Sequence, residues 1–449
     1  MSRLIKKPLV AIVGRPNVGK STLFNKLCGK RVSIVEDTPG VTRDRLYEDV
    51  EWTGHIFTII DTGGIEPQKD DVIQKHMHAQ AQLAIDTADV IMFIVDAREG
   101  ITTVDDDVAQ MLRQSKKPII LVANKAETET QRMNAVEFYK FNLGEPVAIS
   151  GEQGLGIGDL LDIIVEKFER NFEEDYDSGI LKIAVVGKPN AGKSSLVNRI
   201  LKEERSIVSD IAGTTRDAID TPFTYNDKKY MIIDTAGIRR KSRIDDDTIE
   251  RYSVIRSLAA VRRADVTFVV IDAEEGMTEQ DVKIAGYVHN EGKPSVLVIN
   301  KWDLVEKDTH TMAKFRKKLR SDLIFMDYAP SMFISALTGQ RIPKLMELAD
   351  YVVKQAAFRI STGVLNDVLI EAISATEPPS KNGRRLKIMY ATQAATNPPT
   401  FILFVNDTEL THFSYTRYLE NYFRKSFNLD GTPIRILYRQ RDKEGHDGR

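Results

Sequence analysis

The sequence feature that most constrains the fold is an eight-residue glycine-rich segment that occurs twice. Residues 14–21 read G-x-x-x-x-G-K-S, and residues 187–194 repeat this pattern 173 positions later. Each segment follows a short apolar run and precedes a helical pattern, which is the strand–loop–helix context of a phosphate-binding loop. Glycines let backbone N–H groups converge on phosphate oxygens, and the helix N-terminus adds partial positive charge. The chain is therefore expected to contain two nucleoside-triphosphate sites.

The repeat extends well beyond these loops. Segments 39–44 and 212–217 correspond, as do 61–64 and 234–237, all at the offset of 173. The offset grows to 176 between 124–125 and 300–301, and to 185 between 150–151 and 335–336. An offset that is constant early and larger later indicates two copies of one domain, the second with longer loops. We call them copy one and copy two.

The apolar pattern predicts an α/β fold for each copy. Runs that are apolar on both faces alternate with helical stretches, which is typical of a mostly parallel sheet covered by helices. Segments 45–52 and 218–225 are expected to be antiparallel edge strands. The predicted domains are 1–170 and 180–355, joined by an acidic linker at 171–179.

The rest of the chain lacks a phosphate loop. Residues 356–438 read helix (364–376), strand (386–393), strand (401–405), helix (415–427) and strand (434–438). This order predicts a small α+β domain, followed by a polar tail at 439–449.

Composition excludes some classes of protein. Lys and Arg number 63 against 65 Asp and Glu, so net charge gives no case for nucleic acid or against it. The lone Cys28 excludes an internal disulfide and a cysteine-built metal site, and is expected to be core filler. No apolar run approaches about 18 residues, and the N-terminus is too short and polar for a signal peptide. A cytoplasmic protein without stable membrane association is expected.

Residues 300–303 predict which base is bound. Asn300-Lys301-Trp302-Asp303 follows an apolar strand, where a carboxylate can accept N1–H and N2–H of guanine together while the lysine stem covers the ring. Adenine would leave that carboxylate unpaired. Residues 335–337 are expected to add a backbone donor to guanine O6. In copy one Glu127 replaces Asp303, so we expect guanine selectivity with weaker affinity; the alternative is that copy one has lost nucleotide binding.

Each copy is expected to supply one lysine for the β- and γ-phosphates, three oxygen ligands for Mg²⁺ and a glycine N–H that senses the γ-phosphate. In copy one the lysine is Lys20, the Mg²⁺ ligands are Ser21, Thr42 and Asp61, and the glycine is Gly64. In copy two the lysine is Lys193, the Mg²⁺ ligands are Ser194, Thr215 and Asp234, and the glycine is Gly237.

Residues 65 and 238 predict slow hydrolysis. Many GTPases place a water-orienting glutamine after this glycine, whereas this chain has Ile65 and Ile238. Asn17 and Asn190 inside the phosphate loops offer two interpretations. Their carbonyl oxygens are candidate K⁺ ligands that would add charge near the phosphates, or their side chains stabilise a turn.

The full set of residues expected around the nucleotide follows the motifs. In copy one it is Gly14, Arg15, Pro16, Asn17, Val18, Gly19, Lys20, Ser21, Thr22, Asp61, Thr62, Gly63, Gly64, Ile65, Asn124, Lys125, Glu127, Ser150 and Gly151. In copy two it is Gly187, Lys188, Pro189, Asn190, Ala191, Gly192, Lys193, Ser194, Ser195, Asp234, Thr235, Ala236, Gly237, Ile238, Asn300, Lys301, Asp303, Ser335 and Ala336.

Three charged or histidine clusters are ambiguous. The basic run 239–243 is expected to be a solvated helix end, with a charge sensor, an RNA-phosphate contact or an in-trans arginine finger as alternatives. Residues 105–107, three aspartates, are expected to be a solvated helix start. His76 and His78 are expected on the surface, not at a metal.

Taken together, the motifs G-x-P-N-x-G-K-S, x-G-x-T-R-D, D-T-x-G and N-K-x-D resemble those of Era-like GTPases. Two such domains, followed by Asn-Pro-Pro-Thr-Phe at 397–401 and Gly-Thr-Pro-Ile-Arg at 431–435, resemble the Der (EngA) family of bacterial ribosome-assembly GTPases over essentially the whole chain. The resemblance implies two P-loop GTPase domains, a KH-like third domain, GTP hydrolysis to GDP at both sites, Mg²⁺, and binding to the 50S subunit or its precursors. Related GTPases with this loop asparagine use K⁺, which favours a K⁺ role for Asn17 and Asn190.

One feature limits what the resemblance implies for RNA. KH domains that grip RNA directly use a G-x-x-G loop between helices, and the third domain has none at such a place. Residues 356–449 hold 13 basic and 10 acidic residues, with local clusters at 384–387 and 435–441. We therefore expect contacts to rRNA without sequence-reading of single strands, no DNA binding, and a monomer away from the ribosome.

The leading hypothesis is a nucleotide-controlled assembly factor, in which GTP holds one domain arrangement and hydrolysis releases the ribosomal particle. A GTP-dependent RNA-modifying enzyme would need a cofactor loop or an acid–base cluster, which the third domain lacks. A membrane-associated GTPase would need a basic amphipathic helix, and none stands out in the sequence.

Overall fold

The structure is a computed structural model that describes residues 7–29, 47–62, 73–171, 179–202, 220–234, 246–306, 308–381 and 383–440. The chain divides into two compact units. The first comprises residues 1–178 with 242–259, and the second comprises residues 179–241 with 260–449.

Copy one forms a six-stranded sheet in the order β2-β3-β1-β4-β5-β6. All neighbours are parallel except β2 and β3, so segment 45–52 contains the predicted antiparallel edge strand. The elements are β1 Leu9–Val13, α1 Lys20–Cys28, β2 Tyr47–Trp52, β3 His55–Asp61, α2 Ile73–Thr87, β4 Val90–Asp96, α3 Thr103–Gln114, β5 Ile119–Asn124, α4 Glu129–Asn134, β6 Val147–Ala148 and α5 Ile157–Asn171.

Copy two repeats this topology in the order β8-β9-β7-β10-β11-β12, again with an antiparallel edge strand, β8. Its elements are β7 Leu181–Val186, α6 Lys193–Lys202, β8 Thr221–Tyr225, β9 Lys228–Ile232, α7 Asp246–Arg263, β10 Val266–Asp272, α8 Glu279–Asn290, β11 Ser295–Asn300, α9 Thr311–Asp322, β12 Ser331–Phe333 and α10 Ile342–Ala356. The prediction of two α/β P-loop domains is confirmed.

The central strands explain why the apolar runs show no alternation. Every residue of β4 and β10 is buried. Successive side chains point to opposite faces, so Met92 and Ile94 join one apolar cluster while Phe93 and Val95 join the other. Helices cover both faces, and the polar residues that end these strands gather at one edge of the sheet. The free thiol of Cys28 packs against the first cluster, as predicted, and burial raises its pKa to about 12.

The third domain is α+β, as predicted. Its elements are α11 Thr362–Ala375, β13 Ser380–Lys381, β14 Arg384–Arg385, β15 Ile388–Ala395, β16 Thr400–Val405, α12 Phe413–Phe427 and β17 Arg435–Gln440. Strand β16 pairs antiparallel with β15 and parallel with β17. The sequence reading missed the small β13–β14 hairpin. It also ended the last strand too early, because Arg439 and Gln440 continue the backbone pairing with β16 despite their polar side chains.

The third domain contacts copy two inside the second unit. The N–H of Ser295 donates to the carbonyl of Gly431 at 2.8 Å, and the N–H of Gly431 donates to the carbonyl of Tyr328 at 2.8 Å. The guanidinium carbon of Arg424 lies 5.0 Å from the centre of the Tyr328 ring. We call this set of contacts the C-terminal joint.

Residues 242–259 belong to the first unit, although the sequence places them within copy two. The reason is apolar burial, because Ile255 and Ala259 on α7 pack with Leu9, Ile60 and Leu83. No helix in the described part of the chain is long and apolar enough to cross a membrane.

Candidate nucleotide-binding sites

The phosphate loops leave their strands in the same way in both copies. A Cβ on Gly14 would overlap the carbonyl oxygen of Ile94, and a Cβ on Gly187 would overlap that of Val270. Only glycine permits this close approach of the loop to the neighbouring strand. Helices α1 and α6 begin directly at Lys20 and Lys193, so each loop ends at a helix N-terminus that favours anions.

The loop lysines are anchored identically. The Nζ of Lys20 donates to the carbonyls of Gly14 and Arg15, both at 2.7 Å. The Nζ of Lys193 donates to the carbonyls of Gly187 at 2.7 Å and Lys188 at 2.6 Å. Two carbonyl anchors fix each ammonium above its own loop. Burial lowers the pKa of Lys193 to about 8, because desolvation disfavours the charged ammonium.

Two of the expected Mg²⁺ ligands of copy one lie together. The hydroxyl of Ser21 donates to the carboxylate of Asp61 at 2.8 Å, so one cation can reach both oxygens. A hydroxyl and a carboxylate suit a hard cation such as Mg²⁺. Thr62, at the end of β3, donates its hydroxyl to the carbonyl of Ile12. In copy two Asp234 has a left-handed backbone, with φ of 56°, and its N–H donates to the Asp220 carboxylate at 3.0 Å.

Both predicted γ-phosphate sensors, Gly64 and Gly237, lie outside the described residues, together with the other predicted residues near them and two predicted Mg²⁺ ligands. These are Thr42, Gly63, Gly64 and Ile65 in copy one, Thr215, Thr235, Ala236, Gly237 and Ile238 in copy two, and the basic run 239–243. The acidic linker and the end of the polar tail fall largely outside them as well.

The same hydrogen-bond network closes the base end of each site. In copy one the amide of Asn124 donates to the carbonyl of Val18 at 2.8 Å, and its oxygen accepts from the N–H of Gly151 at 2.9 Å. In copy two Asn300 bonds Ala191 at 3.0 Å and Ala336 at 2.9 Å. Each asparagine therefore ties the phosphate loop to the loop after the last strand. The Ala336 N–H, in the segment expected to contact guanine O6, is engaged by Asn300.

The serines of that last loop stabilise its turn. The hydroxyl oxygen of Ser150 accepts from the N–H of Gln153 at 3.1 Å, and that of Ser335 accepts from the N–H of Thr338 at 3.1 Å. Such side-chain bonds to the backbone hold a turn in one conformation. These serines thus shape the loop that carries Gly151 and Ala336.

The base-loop lysines have aspartate partners that the sequence reading gave no role. Lys125 Nζ lies 2.6 Å from the carboxylate of Asp96, and Lys301 Nζ lies 2.5 Å from that of Asp272. Burial opposes the charged form of each carboxylate, but the lysine and backbone N–H groups bound to it hold its pKa below the usual range. The signal in the sequence was an aspartate that ends a buried strand in both copies.

The base carboxylates differ between the copies. Glu127 forms an ion pair with Arg98. In copy two the residue that corresponds to Arg98 is Glu274, and no ion pair of the described residues engages Asp303. The two copies thus differ at two corresponding positions: copy one has Glu127 with Arg98, and copy two has Asp303 with Glu274.

The loop asparagines lie exposed at left-handed positions, with φ of 67° for Asn17 and 62° for Asn190. Asparagine is one of the residues that favour this left-handed conformation, so the backbone geometry fits the interpretation that these side chains stabilise a turn. His78 is exposed on α2, as predicted. Within the described ranges, no cluster of histidine, cysteine, aspartate or glutamate suits a metal.

The prediction for Asp105 was wrong. Asp106 is exposed, but Asp105 is 0% exposed, and its carboxylate lies 3.3 Å from the guanidinium of Arg15. It also caps α3 together with Thr102. A run of three acidic residues looks solvated in sequence, yet only two of them point outward because a helix turns by about 100° per residue.

Comparison with known proteins agrees with this arrangement. A model of the family described as 50S ribosome-binding GTPase matches residues 9–125 and 182–301. A second model, described as the KH-domain-like C-terminal domain of EngA bacterial GTPase enzymes, matches residues 359–439.

Similar full-length proteins and solved structures are also known. The chain is 58% identical to a GTPase Der from Alkaliphilus oremlandii over 441 residues, covering 98% of this chain and 100% of that protein. A GTPase Der from Clostridium tetani is 58% identical over 435 residues, with coverage of 97% and 99%. A single-residue variant of Era from Aquifex aeolicus bound to GDP·AlF4⁻ is 22% identical over 58% of this chain and 93% of that one, with a TM-score of 0.30.

The family models match the two sheets with their phosphate loops and the α+β domain that follows them. Similarity at this identity over nearly the full length of both chains assigns the family directly. The chain therefore belongs to the Der family of GTPases, with two GTP-binding domains in tandem and a C-terminal KH-like domain.

Proposed function

We propose that this protein is a GTP-controlled factor that binds the 50S ribosomal subunit or its precursors during assembly in the cytoplasm. The observation that carries the proposal is the duplication of one intact nucleotide site beside a KH-like domain. Both copies keep the anchored lysine and the asparagine network, so neither copy has lost the framework for nucleotide.

The proposed roles of the site residues follow from their positions. Lys20 and Lys193 contact the β- and γ-phosphates, with Mg²⁺ held by Ser21, Thr42 and Asp61 in copy one. In copy two the corresponding ligands are Ser194, Thr215 and Asp234. Bound Mg²⁺ would neutralise charge that develops on the phosphates during transfer to water. Glu127 and Asp303 accept from guanine, while Gly64 and Gly237 sense the γ-phosphate.

Hydrolysis is proposed to be slow and to be stimulated by K⁺. Ile65 and Ile238 cannot orient an attacking water by hydrogen bonding, so charge near the leaving group must come from elsewhere. The carbonyl oxygens of Asn17 and Asn190 are the candidate K⁺ ligands. Turnover of GTP in matched K⁺ and Na⁺ buffers tests this proposal, and equal rates would contradict it.

A basic helix supports association with RNA. Helix α9 carries exposed Lys314, Lys317 and Lys318 at spacings of three and four residues, which places them on one face. Leu319 on the opposite face is buried, so the helix is fixed to the domain. Lys314 pairs with Asp308, whereas no ion pair among the described residues engages Lys317 or Lys318. The basic face of this helix was not predicted from the sequence.

Copy one has no equivalent basic face between its last two strands. There α4 and the short helix 135–141 expose Met133, Val136 and Tyr139 instead. Phosphate contacts give RNA affinity that is strong at low salt and falls as salt rises. We therefore assign the rRNA backbone to the α9 face of copy two in this proposal.

The test is co-sedimentation of the full chain with purified 50S particles in a GTP analogue, in GDP and without nucleotide. We expect association to depend on the nucleotide, and to fall about tenfold for the double variant Lys317→Glu/Lys318→Glu. Lys116→Glu in copy one is the matched control and should bind normally. Equal association in all three nucleotide states would contradict the switch, and normal binding of the double variant would contradict the assigned surface.

A further inference from the structure

The second residue of each phosphate loop directs its side chain away from the loop mouth. In copy one the guanidinium of Arg15 lies 3.3 Å from the carboxylate of Asp105 and 2.5 Å from that of Glu99. The Arg15 side chain is 14% exposed and that of Asp105 is 0% exposed. This side chain therefore contacts the start of α3.

Copy two forms the same contact with a different cation. The ammonium of Lys188 lies 2.7 Å from the carboxylate of Glu275 and 3.7 Å from that of buried Asp281. The acids correspond in the repeat, since Glu99 and Asp105 recur 176 positions later. A cation at this loop position therefore pairs with the same two acidic positions in both copies, although the buried aspartate is 3.7 Å away in copy two and 3.3 Å away in copy one.

The buried carboxylates of Asp105 and Asp281 also accept hydrogen bonds from a threonine three residues earlier. Asp105 accepts from the N–H of Thr102 at 3.2 Å and from its hydroxyl at 2.7 Å. Asp281 accepts from Thr278 in the same way, at 3.0 and 2.7 Å. Burial raises the pKa of both carboxyls, so charge there is costly unless a cation is close. The Thr–Asp bonds are those of a capping box, whereas the ion pair to the phosphate-loop residue is an addition to it.

The residue that makes this ion pair also binds the phosphate-loop lysine through its backbone carbonyl. The carbonyl of Arg15 accepts from Lys20 Nζ, and the carbonyl of Lys188 accepts from Lys193 Nζ. The residue whose side chain is held by α3 or α8 is therefore also the residue whose backbone anchors the lysine. Fixing its side chain limits the rotation of that carbonyl.

The same segment also reaches the base-binding loop. Residues 96–105 begin at Asp96, which holds Lys125, and end at Asp105, which holds Arg15. Residues 272–281 do the same for Lys301 and Lys188. One short stretch of chain thus contacts both ends of each nucleotide site.

We propose that segments 96–105 and 272–281 are positioning clamps that hold the phosphate-binding lysine and the base-binding lysine at a fixed separation. Arg15, Asp105, Lys188 and Asp281 are positioning residues in this proposal, and none of them needs to touch nucleotide. The proposal rests on the nucleotide sites of the proposed function, and it assigns a task to a buried pair that the phosphate-loop motif does not explain.

The test measures GDP and GTP-analogue affinity at site one in full-length chain whose second site is silenced by Lys193→Ala. Arg15→Ala and Asp105→Asn are each expected to weaken binding about tenfold, as supporting residues around a site typically do. Arg15→Lys should stay within about twofold of the parent, because copy two uses lysine there. The double variant Arg15→Ala/Asp105→Asn should lose no more than the worse single variant, since both break one contact.

The controls separate positioning from general damage. Thermal unfolding and far-UV circular dichroism of each variant report folding, and Arg15→Gln/Asp105→Asn keeps a neutral hydrogen-bonded pair in case Arg15→Ala fails to fold. Unchanged affinity in folded Arg15→Ala and Asp105→Asn would overturn the clamp, as would equal losses for Arg15→Ala and Arg15→Lys. Lys20→Ala in the same Lys193→Ala chain tests the nucleotide site itself. If this variant still bound nucleotide, the assignment of site one would be overturned, and not the clamp alone.

Discussion

The two copies share a backbone network but surround guanine with different charges. In copy one Glu127, the carboxylate predicted to accept from guanine, is paired with Arg98. In copy two the residue that corresponds to Arg98 is Glu274, and no ion pair of the described residues engages Asp303. Both copies thus keep the backbone contacts that shape the site, and they differ in the charged residues beside the predicted base loop.

The largest expected effect comes from removing a phosphate-binding lysine. Lys20→Ala and Lys193→Ala should each weaken nucleotide binding at the altered site about 100-fold or more, because a charged contact to phosphate is lost. Titration with a fluorescent GDP analogue should show two sites in the parent and one in each variant. Loss of both sites in either variant would show that the copies do not bind independently.

The next effect concerns the C-terminal joint of copy two. His289 is half-buried beside Tyr328, with a ring nitrogen 3.3 Å from the phenol oxygen. The corresponding residue of copy one is Arg113, which is exposed. Burial first, and then the nearby cations Arg435 and Arg424, lower the pKa of His289 to about 4.

The sign of the pH effect follows from that lowered pKa. The unfolded chain takes up a proton near pH 6.5 while the folded chain resists until about 4, so stability is present above pH 6.5 and lost as pH falls to 4. The loss is about 3 kcal/mol for this group. Urea unfolding followed by Trp302 fluorescence in a Trp52→Phe chain measures it. His289→Phe should flatten the pH dependence, and an unchanged slope would exclude His289 as its source.

A smaller effect is expected at Lys193. Its ammonium must be protonated to pair with phosphate, and its pKa of about 8 means that alkaline pH removes the charge. Affinity at site two should therefore fall about tenfold between pH 7 and pH 9. The measurement is a GDP-analogue titration in Lys20→Ala chain, where only site two binds. A flat profile would indicate that the lysine stays charged throughout.

The smallest effect tests the base carboxylates. Glu127→Asp should tighten guanine binding at site one about threefold, because the shorter side chain loses fewer rotamers on pairing. Asp303→Glu is the matched reverse change and should weaken site two by a similar factor. Competition between GDP and ADP in single-site chains gives both numbers. Opposite shifts would show that the Arg98 pair, not side-chain length, sets the difference.

The sequence was a good guide wherever function depends on a continuous motif. The strand–loop–helix context of the phosphate loops and the mostly parallel sheets follow from local pattern, and the structure agrees with the predicted antiparallel edge strands. Strand ends were less predictable, because Arg439 and Gln440 pair through backbone groups that carry no side-chain signal.

The residues missed were those whose role depends on a distant partner. Asp105 was predicted to be one of three solvated acidic residues, because its partner Arg15 lies 90 positions away in the sequence. The partnership of Asp96 with Lys125 is equally non-local. The basic face of α9 is not a contiguous motif, because its lysines become neighbours only through the turn of the helix. Sequence pattern therefore predicts contiguous motifs better than the contacts between distant residues that hold them.

The C-terminal joint has a mechanical consequence. Its hydrogen bond from Ser295 to Gly431 is made at the first residue of β11, and the last residue of that strand is Asn300, in the guanine-binding loop. The six residues of this strand span about 20 Å at 3.3 Å per residue. One strand, buried at every position, thus joins the hydrogen bond from the KH-like domain to the predicted base loop of copy two. A cut at residue 356 would sever the peptide chain but leave this connection in place.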